Sequence, residues 1–152
     1  MAGLVTAGFA FASHAEAVVY DGMTQAQVEA ALTSGGKTFK KIDTNIWALE
    51  QGRHLILTSC PDRSNATCYE IYIIDKFSNV RPTLQGVNKW NSDSRAPEAS
   101  VSDQGFLELT MFVSTVGITE KLLLDTLMWL DTAEQLESFN SFWRPYLVSP
   151  GA

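Results

Sequence analysis

A chain of 152 residues, 45% of them hydrophobic and with a mean hydropathy of −0.01, has enough apolar surface to bury one core and no need of a second domain. Its 11 Lys and Arg side chains stand against 17 Asp and Glu, a balance that repels phosphate backbones and sets nucleic acid aside as a partner.

Met1 to Ala17, MAGLVTAGFAFASHAEA, holds no Lys or Arg, is rich in Ala, Gly and Phe, and ends in Ala15-Glu16-Ala17. The small-x-small ending fits the apolar core and cleavage site of a secretory signal peptide, cut after Ala17, which places the mature chain in the periplasm or outside the cell. The basic opening of such peptides is missing, and an apolar first helix packed on the domain is the alternative. Gly and Thr break the stretch too often for a membrane span. Residues 18–148 then read as a single domain and 149–152 as a polar tail.

Tyr20-Asp21-Gly22 reads as a turn and Met23 to Leu32 as a helix, with Thr24 as N-cap, Gln27 completing a capping box and Gly35-Gly36 ending it. Three strands follow, Thr38 to Asp43, Ile46 to Gln51 and His54 to Ser59, separated by Thr44-Asn45 and Gly52-Arg53 at tight-hairpin length. Cys60 and Cys68 flank a turn-rich loop. Either they form a disulfide that staples it, as an oxidising compartment favours, or they are free and buried. Two Cys and one His after Ala17, at no zinc-finger spacing, give no metal site. A fourth strand, Cys68 to Asp75, alternates Tyr69, Ile71 and Ile73 with Glu70, Tyr72 and Ile74. Neither face is wholly polar, so helices should cover one side and leave aromatic surface on the other.

Thr83 to Asn91 reads as a short helix, followed by strands at Glu98 to Ser102 and Phe106 to Thr115 around an Asp103-Gln104-Gly105 turn. Leu107, Leu109, Met111 and Val113 take the core side, with Glu108, Thr110 and Phe112 opposite. Thr119 caps one long final helix with a Leu-rich face, continued by Phe139, Phe142, Trp143 and Tyr146. The expected fold is α+β: a single, mainly antiparallel sheet with helices packed on one face, in the order α-β-β-β-β-α-β-β-α.

The run Val87-Asn88-Lys89-Trp90-Asn91, then Arg95, a strand, the Asp103/Gly105 turn, an apolar strand, and Gly117-Ile118-Thr119-Glu120 before a Leu-rich helix resembles the YbjN family of bacterial proteins. The likeness covers about residues 23 to 143. It implies a role as a sensory-transduction regulator and a fold similar to that of type III secretion chaperones.

For catalysis, the one histidine after Ala17 is His54, at a strand start, and no Gly-x-Ser-x-Gly elbow is present. Gly35-Gly36-Lys37-Thr38 follows a helix and precedes a strand, the reverse of a phosphate-binding loop, with Ala31 where the first glycine is required. No cofactor is implied. Trp90 could line a groove for an extended peptide, with Asn91 bonding its backbone and Arg95 adding charge; equally, Trp90 anchors the core, Asn91 caps its helix and Arg95 pairs with an acid. Trp47, Tyr72 and Phe112 are the open-face candidates for ligand contact. The leading expectation is a non-enzymatic module that binds a protein or peptide, or pairs with itself as a homodimer, through the open sheet face. The alternative is a small hydrolase or metal-dependent enzyme using His54 with nearby carboxylates.

Overall fold

The computed structural model describes residues 17–61, 66–93, 97–128 and 133–148. In chain order they form β1 (Val19–Asp21), α1 (Gln25–Ser34), β2 (Phe39–Asp43), β3 (Ile46–Leu49), β4 (Arg53–Thr58), β5 (Glu70–Phe77), α2 (Leu84–Asp93), β6 (Glu98–Val101), β7 (Leu107–Ser114), β8 (Val116–Thr119), α3 (Glu120–Leu127) and α4 (Ala133–Trp143). Six strands make one antiparallel sheet in the order β2-β3-β4-β5-β7-β6, while β1 and β8 pair in a separate ribbon. The expected leader up to Glu16 and the tail 149–152 lie outside the described residues.

Local chemistry accounts for most element ends. Thr24 and Gln27 form the reciprocal capping box at the start of α1. At its other end Gly36 adopts φ 65°, and the Gly36 and Lys37 amides donate back to the Thr33 and Leu32 carbonyls, closing a Schellman motif. Thr44-Asn45 turns β2 into β3, with Asn45 in the left-handed region that asparagine tolerates. Asp103-Gln104-Gly105 turns β6 into β7, as its composition implies.

The expected order needs three corrections. First, β1 and β8 stand where the sequence suggests a turn and the approach to a helix. Both are short and mostly exposed, so neither carries an alternation that pattern reading can detect. Second, the β3–β4 link is a 3-10 turn, Glu50–Gly52, with Gln51 at positive φ, and Arg53 belongs to β4. Third, the final helix is two. Thr119 caps α3 as expected, but Met128 closes a tighter bond to the Asp125 carbonyl. The Leu127 carbonyl, which a continuing helix would use, accepts from the Arg53 guanidinium instead.

All four helices lie on one side of the six-stranded sheet, over two clusters. Under α1 and α3, Val28, Leu32, Leu123 and Leu127 pack on Trp47, Leu55, Leu57, Ile71 and Ile73. Under α2 and α4, Val87, Trp90, Phe139 and Trp143 pack on Ala99, Leu107 and Leu109, with the Trp90 and Trp143 rings stacked 5.4 Å apart. Beside the first cluster, Arg53 and Asp75 form a buried two-point ion pair, Nε to Oδ1 at 2.6 Å and Nη2 to Oδ2 at 3.3 Å.

A disulfide joins Cys60 to Cys68 across the loop between β4 and β5. Cys68 also exchanges backbone bonds with Met23 and accepts from the buried Thr115 hydroxyl at 2.7 Å. The staple therefore holds the sheet end where β1, β5 and β7 converge. No described helix is long and apolar enough to cross a membrane.

Candidate functional site

Residues directly opposite each other in an antiparallel pair share a face, so the register defines what the helix-free side of the sheet presents. One row crosses five strands: Asp43 on β2, Ile46 on β3, Ile56 on β4, Tyr72 on β5 and Phe112 on β7. At one strand spacing per step its apolar part, Ile46 to Phe112, runs about 14 Å. A second row crosses all six strands: Lys40, Ala48, His54, Ile74, Thr110 and Glu98. Beyond it Lys76 lies opposite Glu108, with Nζ and Oε1 3.4 Å apart.

From Ile46 to Phe112 the first row is apolar, with the exposed Asp43 at its β2 end, and none of its members belongs to either helix-covered cluster. Phe112 is 51% and Tyr72 37% exposed, and their rings meet edge to face at 5.2 Å. Ile46 and Ile56 are half-buried beside them. Burying such a row against another apolar surface gains free energy in proportion to the area removed from water, which is why contiguous patches of this kind mark contact sites.

Tyr72 and Phe112 thus sit on the open side, as expected. Trp47 does not, and its expected role as an open-face contact is corrected: it is 0% exposed, faces Leu55 and Lys41 across its neighbours, and donates its indole N–H to Glu29 Oε1 at 3.0 Å. The misreading has a simple origin. Ile46-Trp47-Ala48-Leu49 is apolar on both faces, so alternation cannot say which parity points inward. The Trp47 hydrogen bond, and after it Lys41, holds the Glu29 carboxyl below its ordinary range.

Trp90 is buried and donates its indole N–H to the Pro97 carbonyl at 2.8 Å. The Asn91 amide donates to the Ala99 carbonyl at 2.9 Å and accepts from the Ala99 N–H at 2.7 Å. Both residues fasten α2 to β6 instead of lining a peptide groove, and Asn91 completes the outer edge of a strand, not a helix cap. Arg95 lies outside the described residues.

His54 stands on the open face between Ala48 and Ile74, its Nδ1 3.1 Å from the Gly52 carbonyl oxygen. Among the described residues no group of three or more His, Cys, Asp or Glu side chains converges where it could hold a metal ion. A cleft of about 510 Å³ opens at the β6–β7 turn, lined by Lys76, Ser102, Asp103, Gln104 and Glu108 among others; it lacks both a histidine and a cysteine. Ile46 and Ile56, the aliphatic half of the first row, escape sequence reasoning, whereas the alternation of β5 already sets Ile74 beside Tyr72. The signal is there, since β3, β4 and β5 each carry apolar residues at both parities. No family model, no curated protein and no solved structure matches this chain.

Proposed function

We propose that this chain is a non-enzymatic protein-interaction module that docks a protein surface on the helix-free face of its six-stranded sheet. The observation that carries the reading is the continuous apolar row Ile46, Ile56, Tyr72 and Phe112 on the side that no described helix covers, half-buried at its isoleucines and exposed at its rings. His54, whose Nδ1 lies 3.1 Å from the Gly52 carbonyl, is bordered across the sheet by the apolar Ala48 and Ile74, a setting that suits a contact surface. The helices-on-one-side layout is in keeping with the resemblance to the YbjN family and a type III secretion chaperone-like fold, and a regulatory or chaperone-like role in a bacterial protein is part of the proposal. The Cys60–Cys68 disulfide favours an oxidising compartment, periplasmic or extracellular, reached through a leader ending near Ala17.

The test is site-specific photo-crosslinking in cells expressing the full chain, with the crosslinking residue at position 112 or, as control, at Leu122 on the exposed side of α3. Adducts with protein should form from position 112 and not from 122. The reverse pattern, or equal yield from both, moves the docking surface elsewhere.

A further inference from the structure

The open face is self-complementary under a two-fold rotation, and we infer that its occupant is a second copy of this chain, packed face to face about an axis that runs along the strands between β4 and β5. The inference rests on the docking role proposed for that face and adds the identity of the partner. Six strands place this axis at the middle of the sheet, with β2, β3 and β4 on one side and β5, β7 and β6 on the other.

Rotation about it keeps each row at its own height and exchanges the row's ends. In the apolar row, Ile46 comes over Phe112 of the second copy and Ile56 over Tyr72, so aliphatic side chains meet rings at every step. In the next row, Lys40 comes over Glu98, Ala48 over Thr110 and His54 over Ile74. A cationic end thus meets an anionic end twice in the assembly. An axis laid along the row instead would set Lys40 on Lys40 and Glu98 on Glu98, and like-charge contacts disfavour it. Stacked sheets keep their strands within about 30° of alignment and about 10 Å apart, which leaves these pairs in reach.

The other route to a second copy, edge-to-edge strand pairing, is obstructed at both ends. The outward N–H and C=O of Ala99 on β6 are already bonded to Asn91, and the β2 edge carries Lys40 and Lys41. The open face measures about 24 Å across six strands and on the order of 20 Å along them, roughly 500 Å² of footprint on each copy. That lies toward the small end for a specific interface, so the association should be reversible and concentration-dependent.

Sedimentation velocity of the full chain from about 1 to 300 μM reads the equilibrium directly. Wild type should shift from monomer to dimer across that range. Lys40→Glu and Glu98→Lys, both at exposed positions, should each weaken the dimer at least about tenfold, and Phe112→Ser about a hundredfold. An equimolar mixture of the two charge variants should regain wild-type association. The acid introduced at position 40 of one chain then meets the base introduced at position 98 of the other, while the native Lys40–Glu98 contact survives at the opposite end. Unchanged circular dichroism of each variant assigns the losses to the interface. A wild type that remains monomeric throughout, or a dimer indifferent to both reversals and to Phe112→Ser, overturns the self-pairing. The two readings then separate: capture of a different protein from position 112 leaves the docking face standing with another occupant, whereas no capture removes the docking role as well.

Discussion

Replacing Asp75 by Ala removes the carboxylate that neutralises Arg53, and both residues are nearly enclosed, at 6% and 8% exposure. The guanidinium would keep its bond to the Leu127 carbonyl but lose both contacts to Asp75, and with them the two-point link between β4 and β5. Losing two charge-assisted hydrogen bonds from a nearly enclosed site costs about 3 to 5 kcal/mol, a large share of the roughly 5 to 15 kcal/mol that holds a domain folded. For a chain of this size the melting temperature should fall by roughly 6 to 20 °C. Urea unfolding followed by tryptophan fluorescence gives the free energy directly. Arg53→Met combined with Asp75→Leu should recover most of the loss, falling short by about 1 kcal/mol because the Leu127 carbonyl loses its donor. Glu108→Ala, which breaks the surface pair with Lys76, should cost under about 1 kcal/mol. A loss of less than about 1 kcal/mol from Asp75→Ala would mean that the two contacts to Asp75 carry no net stability, and the account of the β4–β5–α3 junction would be wrong.

Three further outcomes follow from the same contacts. Converting Cys60 and Cys68 to Ser should lower stability by about 2 to 3 kcal/mol, from the freedom returned to the unfolded loop, and intact mass with and without reductant should differ by about two hydrogens in the native chain alone. Asn91→Ala should cost about 1 to 2 kcal/mol and speed hydrogen exchange at the Ala99 amide; unchanged exchange there would mean that water replaces the side chain at no loss. The depressed Glu29 pKa has a definite sign: the folded value lies below the ordinary 4.5, so its contribution is present above that pH and is lost as pH falls through the folded value. The stability gap between wild type and Glu29→Gln should therefore be open at neutral pH and close progressively below about 4.5; a gap that does not change with pH would separate it from ionisation.

Where the chain announces its own turns, its sequence is legible. Thr24 and Gln27, Gly35-Gly36, Thr44-Asn45, Asp103-Gln104-Gly105 and Thr119 all end or begin elements as their local chemistry dictates. What escapes depends on contacts between distant residues. The end of α3 at Leu127 needs Arg53, 74 positions away. The ribbon of β1 and β8 joins Val19 to Thr119, far apart along the chain. Trp47 turns inward only because Leu55 and Glu29 claim it, and nothing in its own short strand says so. The open face is half legible: the alternation of β5 and β7 points to Tyr72 and Phe112, whereas the isoleucines beside them emerge only once the register between strands is known.

The Asn91 amide has one more effect, on how such molecules crowd together. By occupying the outward peptide groups of Ala99 at the margin of the ladder, it removes a template on which another chain could lengthen the ladder sideways into a filament. At high concentration these proteins should meet as plates stacked on their broad sides, not as planks laid rim to rim.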